Sequence, residues 1–136
     1  MGINMNRTLT ILLASACSLF AYTERELIAS CLYQEARGEG VYGMELVANV
    51  IQNRAIEYGV SYSEVVTKRN QFSCFNNGVK IKYDFASDLV ARRLLAGKIE
   101  DHTNGAYFYQ RNELPRRKWH GQKTLTYKHH TFFKKI

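Results

Sequence analysis

Glu35 stands in the run Tyr33-Gln34-Glu35-Ala36-Arg37-Gly38-Glu39-Gly40, directly behind the apolar residues Leu27, Ile28, Ala29, Cys31 and Leu32. The pattern predicts a helix with buried early turns, broken at a glycine, with an acid at its end. A carboxyl group set at the edge of an apolar wall has its charged form disfavoured and can carry a proton near neutral pH. A protonated acid at the rim of a cleft is what cleavage of a glycosidic bond requires. The plain alternative is a surface helix ending in solvated glutamates. A second carboxylate would be needed for ordinary hydrolysis, about 5–5.5 Å away for retention or 6.5–9.5 Å for inversion. Glu39 is the nearest in sequence, but Gly38 and Gly40 interrupt the helix and leave its direction open.

The elements that must hold these acids read as follows. Thr23 is an N-cap for a helix over roughly 24–35, with Glu24 and Glu26 favouring the dipole of its first turn. After the Gly38-Glu39-Gly40 turn comes a helix of about 18 residues, with Leu46, Val47, Val50, Ile51 and Arg54 at helical spacing and Gly59 at its end. Ser61 and Ser63 can cap a short helix running through Val66. Residues 70–78 look irregular, with Phe72 and Phe75 turned inward. Residues 84–97 give an amphipathic helix on Phe85, Leu89, Val90, Leu94 and Leu95, closed by Gly97. Beyond Gly105, residues 106–109 and 124–127 read as short strands. The expected fold class is α+β, mainly helical, with short strands near the C-terminus.

The chain of 136 residues suits one domain with a single core. Its formal charge is +7, and the stretch from Arg116 to Ile136 holds Arg116, Arg117, Lys118, Lys123, Lys128, Lys134 and Lys135 with no acid. Such an end favours a polyanionic partner: nucleic acid, an anionic membrane or an anionic cell envelope. At the other end, Arg7 precedes the apolar stretch 9–21, which reads as an export signal, shorter than a membrane span of about 20 residues. Residues 1–21 are therefore a signal peptide or a weak, transient inner-membrane anchor, and 22–136 the functional domain; a buried N-terminal helix is the alternative. The three cysteines are Cys17, Cys31 and Cys74. Export would permit a Cys31–Cys74 disulfide, and a plain buried thiol at Cys31 is equally compatible with the pattern.

The run ASCLYQEARGEGVYGMELVANVIQNR, followed by QFSCFNNG, RRLLAGKI, GAYFY and HHTFF, resembles the cell wall hydrolases of the spore-cortex-lytic (SleB) type. The resemblance spans most of residues 27–133. It implies a lysozyme-like fold of the lytic transglycosylase kind, peptidoglycan glycan strands as substrate and no cofactor. The bond cut would be that between N-acetylmuramic acid and N-acetylglucosamine, with Glu35 as the catalytic acid. A single acid can suffice if the sugar's own C6 hydroxyl attacks C1. Behind an export signal and without a separate binding repeat, the chain fits an endolysin-like member from a phage or prophage, exported and monomeric.

Further candidates follow from residue type and from the same resemblance. Glu39 would shape the site or pair with Arg37 or Arg54, and Arg54 could orient Glu35 or cover a helix end. Phe72 and Ser73 match family positions lining the cleft. In the aromatic run after Gly105, Tyr107 and Tyr109 are assigned to the cleft and Phe108 to the core. His130 would pack or hydrogen-bond rather than transfer protons. Two rivals stand beside this reading. A zinc amidase or peptidase could use His102, His120, His129 and His130, but no helical ligand pair such as H-E-x-x-H is present. A nucleic-acid module could use Arg116, Arg117, Trp119, Lys123, Tyr127 and Lys128, although no RNP, helix-turn-helix or zinc-finger pattern accompanies them.

Overall fold

The computed structural model describes residues 21–69, 71–116 and 121–136. All but the last residue of the apolar leader lies outside them, as do Arg117, Lys118, Trp119 and His120.

Among the described residues, four α-helices precede a small sheet: α1 (Glu24–Ala36), α2 (Gly40–Tyr58), α3 (Tyr62–Thr67) and α4 (Phe85–Leu95). The local signals act where they should. Thr23 and Glu26 form a reciprocal capping box, Thr23 Oγ1 accepting from the Glu26 amide at 3.1 Å. Ser61 caps α3, Asp84 caps α4, and Gly59 ends α2 in the left-handed conformation at φ 64. The amide of Ser87 bonds Asp84 and holds that carboxyl below its ordinary range.

α2 is the central post. Met44, Leu46, Val47, Ala48, Val50 and Ile51 are all buried on it, and α1, α3 and α4 pack around it. Ile28 and Leu32 of α1 and Val90 and Leu94 of α4 complete the core. Each such large aliphatic side chain contributes about 1.5–3 kcal/mol through burial. Two members of the expected α4 stripe fall outside it: Phe85 and Leu95 are exposed. They stand at the first and last positions of the helix, where the chain enters and leaves without a neighbour to cover it.

The sheet has three antiparallel strands, β1 (Phe108–Arg111), β2 (Gln122–Tyr127) and β3 (His130–Lys134), in the order β1-β3-β2. The closing His-His-Thr-Phe-Phe run thus supplies the middle strand, with Tyr109 opposite Phe132 and Arg111 opposite His130. Register places Tyr109, His130 and Phe132 on one face, and that face turns toward α1. The mainly helical α+β architecture expected from sequence is the one observed.

Candidate active site

Glu35 occupies the last turn of α1 and is partly exposed. Its Oε1 accepts from the Ser73 amide at 3.1 Å and from Ser73 Oγ at 2.7 Å. Its Oε2 accepts from the Tyr109 hydroxyl at 2.7 Å. An amide can only donate, so Oε1 is fixed as an acceptor. A phenol both donates and accepts, so Oε2 is the oxygen able to carry a proton without losing its partner. Burial, and next the charge of Glu35, push the Tyr109 phenol well above its ordinary value, so it remains a neutral hydroxyl.

Two arms bring Ser73 and Tyr109 to Glu35, and α2 ties both down. Asn49 Nδ2 donates to the Glu100 carbonyl at 2.9 Å and Asn53 Nδ2 to the Ala106 carbonyl at 2.8 Å. Arg54, 5% exposed, donates from Nε to the Tyr107 carbonyl at 2.8 Å. Its Nη1 reaches the Gln71 carbonyl at 3.3 Å, and the guanidinium lies 4.8 Å from the Phe72 ring centre. Arg54 therefore joins the strand entry before Tyr109 to the segment before Ser73. It makes no direct bond to Glu35: Nε goes to the Tyr107 carbonyl, and Nη1 to both the carbonyl and the Oε1 of Gln71, the latter at 3.2 Å.

Glu39 has a different seat. It closes a 3-10 turn (Arg37–Glu39) and is 4% exposed. Its partners are neither Arg37 nor Arg54. His129 Nδ1 lies 2.9 Å from Oε1, the His129 amide donates to Oε2 at 3.2 Å, and Lys128 Nζ donates to the Glu39 carbonyl at 3.1 Å. Gly43, one helical turn on, makes this possible: a Cβ there would stand 2.2 Å from that of Glu39. The turn reverses the chain after α1, so Glu39 faces the β2–β3 connection instead of its own turn's Arg37 or Arg54 on α2.

A groove passes across Glu35 in two lobes. One, of about 400 Å³, is lined by Gln71, Phe72, Ser73, Tyr109, Gln110 and Leu114 among others. The other, of about 320 Å³, is lined by Arg37, Gly38, Glu39 and His129. Glu35, Gln34, Arg111 and His130 belong to both. His130 is 6% exposed, its ring edge against Tyr109, and its Nδ1 is buried without a partner among the described residues. Burial lowers its pKa and keeps the ring neutral, against the opposing pull of Glu39 and Glu35.

Of the sequence candidates, the fold brings Glu35, Glu39, Phe72, Ser73, Tyr109 and His130 to this groove. Arg54 borders one lobe from beneath. Tyr107 is not part of it: it is buried beside Tyr58, Arg54 and Lys135. Phe108, assigned to the core by sequence, is only partly buried, while Tyr107 is the core residue. Residues 107 and 109 do share a side, but at 107 that side meets the end of α2 and only at 109 does it open on the groove. Sequence reasoning missed Gln71 and Arg111, and weighed His129 only as a zinc ligand of the rival reading. Nothing local signals them, apart from the position of His129 beside His130. Among the described residues no group of three or more His, Cys, Asp or Glu side chains is arranged to hold a metal ion. Nor is any described helix long and apolar enough to cross a membrane.

The fold of this helical domain with its small three-stranded sheet matches that of the SleB catalytic domains. Two solved structures carry it: the catalytic domain of the Bacillus cereus SleB protein and that of the germination-specific lytic transglycosylase SleB from Bacillus anthracis. The first superposes with a TM-score of 0.69 at 23% identity, covering 84% of this chain and 93% of that one. The second gives 0.70 at 22%, covering 84% and 98%. The family model described as Cell Wall Hydrolase matches residues 38–133, and the chain belongs to that family. The match begins just after Glu35, so it takes in Glu39, Ser73, Tyr109 and His130 but not the acid itself. No curated protein matches the sequence.

Proposed function

We propose that the protein cuts peptidoglycan glycan strands between N-acetylmuramic acid and N-acetylglucosamine as a lytic transglycosylase, with Glu35 as its one acid and base. The carrying observation is the contrast between the two acids lining the groove. Glu39 has both oxygens engaged by His129, whereas Glu35 is held at the groove by small neutral donors that a substrate can face. Among the described residues lining the groove, no second carboxylate is left free to activate water or attack C1 beside Glu35.

In this mechanism the protonated Oε2 of Glu35 gives its proton to the glycosidic oxygen as the bond to C1 breaks. The C6 hydroxyl of the same muramic residue then attacks C1, and Glu35 takes the hydroxyl proton. The product is a 1,6-anhydro end, no water is consumed, and the acid is regenerated. Tyr109 keeps Oε2 in place in both protonation states because its hydroxyl can reverse its bond. Tyr109, backed by the buried Phe72, offers an apolar face to a sugar ring, Gln71 and Gln110 offer polar groups, and His130 lines the same wall.

The basic C-terminal segment, including Arg116, Lys123, Lys128, Lys134 and Lys135, would hold the enzyme to an anionic envelope. This suits an exported protein with its leader cut or kept as a tether.

The deciding experiment is mass spectrometry of peptidoglycan digested by the protein. Anhydromuramyl ends support the proposal. Reducing muramyl ends would replace it with hydrolysis, and free stem peptides would move it to an amidase. For the anchor, replacing Arg116, Arg117 and Lys118 by Gln should reduce cleavage of intact walls far more than of short glycans. Equal losses on both would dismiss it.

A further inference from the structure

Cys31 and Cys74 take no part in the chemistry above, yet they lie directly behind it. Cys31 is fully buried on α1, one helical turn before Glu35. Cys74 follows Ser73 in a second 3-10 turn (Ser73–Phe75) and is also buried. Both are free thiols. Both belong to one buried cluster in which the helix and the short turn pack on each other, Cys74 helps to raise the Cys31 thiol, and Cys74 Sγ lies 4.0 Å from the Val66 carbonyl. The helix turn carrying Glu35 and the short turn carrying its two Ser73 donors thus each place one thiol in the same hidden interior.

We infer that Cys31 and Cys74 are a disulfide site, oxidised as the chain folds outside the cytoplasm, and that the bond braces the Ser73 turn against the Glu35 helix. Neighbouring cysteines on two packed elements can be bridged without a large backbone movement. A cell wall hydrolase works on the outer side of the membrane, where disulfides form and persist. The brace has a clear use. The bonds from Ser73 to Glu35 link residues 38 apart in sequence and lie at an exposed surface, where hydrogen bonds alone give modest net stability.

The oxidant is a disulfide, either a small-molecule one such as oxidised glutathione or that of an exchange protein. The thiolate of one cysteine attacks it, forming a mixed disulfide and releasing one thiol. The second cysteine then displaces the other thiol. Two cysteine thiols are oxidised, one donor disulfide is reduced, and the two protons end on the released thiols. Burial pushes the Cys31 thiol well above its ordinary value, so the folded, reduced protein offers little thiolate. Oxidation accordingly accompanies folding.

The test refolds the full chain with a glutathione redox couple, blocks remaining thiols with N-ethylmaleimide and digests with trypsin without reduction. Cleavage after Arg25, Arg37, Arg69 and Lys80 puts the two cysteines in separate peptides, 26–37 and 70–80. The expected result is one linked 26–37/70–80 species that dithiothreitol abolishes. The oxidised protein should melt about 10 °C above the reduced one. Recovery of both peptides singly as maleimide adducts, or linked to a peptide holding Cys17, would overturn the assignment. Cys74→Ser should lose the linked species and the gain in melting temperature. A Cys74→Ser protein melting with the oxidised wild type would remove the brace. These readouts are a mass and a temperature, so the result stands apart from which bond in peptidoglycan is cut.

Discussion

Glu35 and Glu39 leave the same stretch of chain and meet opposite surroundings. Glu35 ends a regular helix, stays at the groove, and is held by an amide and two hydroxyls, of which the Tyr109 hydroxyl on Oε2 accommodates a proton arriving or leaving. Glu39 is turned under the sheet by a 3-10 turn and covered by His129, with Lys128 on its carbonyl. One carboxylate is supported but left available. The other is converted into a fastener between the start of α2 and the β2–β3 connection. Acidic chemistry at this groove is therefore decided by what covers each acid, not by the number of acids in the motif.

The contrast predicts a graded set of outcomes. The largest effect belongs to Glu35→Gln, which keeps shape and removes the titratable proton. Wall lysis should fall by about 10²–10⁴-fold with the melting temperature nearly unchanged. Lysis near the wild-type rate would end the role given to Glu35. Next is Tyr109→Phe, which removes the Tyr109 donor from Oε2 and should slow cleavage of short glycans by about 10–100-fold, the equivalent of the 1.5–3 kcal/mol typical of bonds to charged groups. An unchanged rate would show that Oε2 needs no partner.

Glu39→Gln should reverse the pattern of Glu35→Gln. Stability should drop by about 1–3 kcal/mol as a buried polar pairing is broken, while the cleavage rate at low temperature falls less than tenfold. Gly43→Ala should copy it, because the new methyl needs the space that the Glu39 side chain occupies. Thermal melts and glycan cleavage measured on the same samples separate the two acids. A Glu39→Gln protein as inactive as Glu35→Gln but fully stable would make Glu39 a participant in the chemistry.

The smallest effect is one of pH. Burial holds His130 below its ordinary 6.5 in the folded state, so below that value the unfolded chain binds the proton more readily. Its contribution to stability is complete above pH 6.5 and declines as acidification passes through that value toward the lower folded one. Melting temperature should fall modestly between pH 7 and 5, and His130→Gln should flatten the decline. An equal decline in the variant would assign it to other groups.

Local sequence was enough for the helices. Caps at Thr23, Ser61 and Asp84 and the glycine stop at Gly59 act through neighbours a few residues away. It was also enough to put an acid at the end of α1, since the apolar spacing before Glu35 and the glycines after it are contained in one short run. What surrounds that acid could not be read in this way. Ser73 and Tyr109 reach Glu35 across 38 and 74 positions, and His129 reaches Glu39 across 90. Those meetings depend on α2 fixing two arms through Asn49, Asn53 and Arg54, and on a strand register that sets which face of β1 and β3 looks inward. The exchange of Tyr107 and Phe108 between core and surface has the same origin. Alternation tells which residues share a side of a strand, but packing of the whole chain decides what that side will touch.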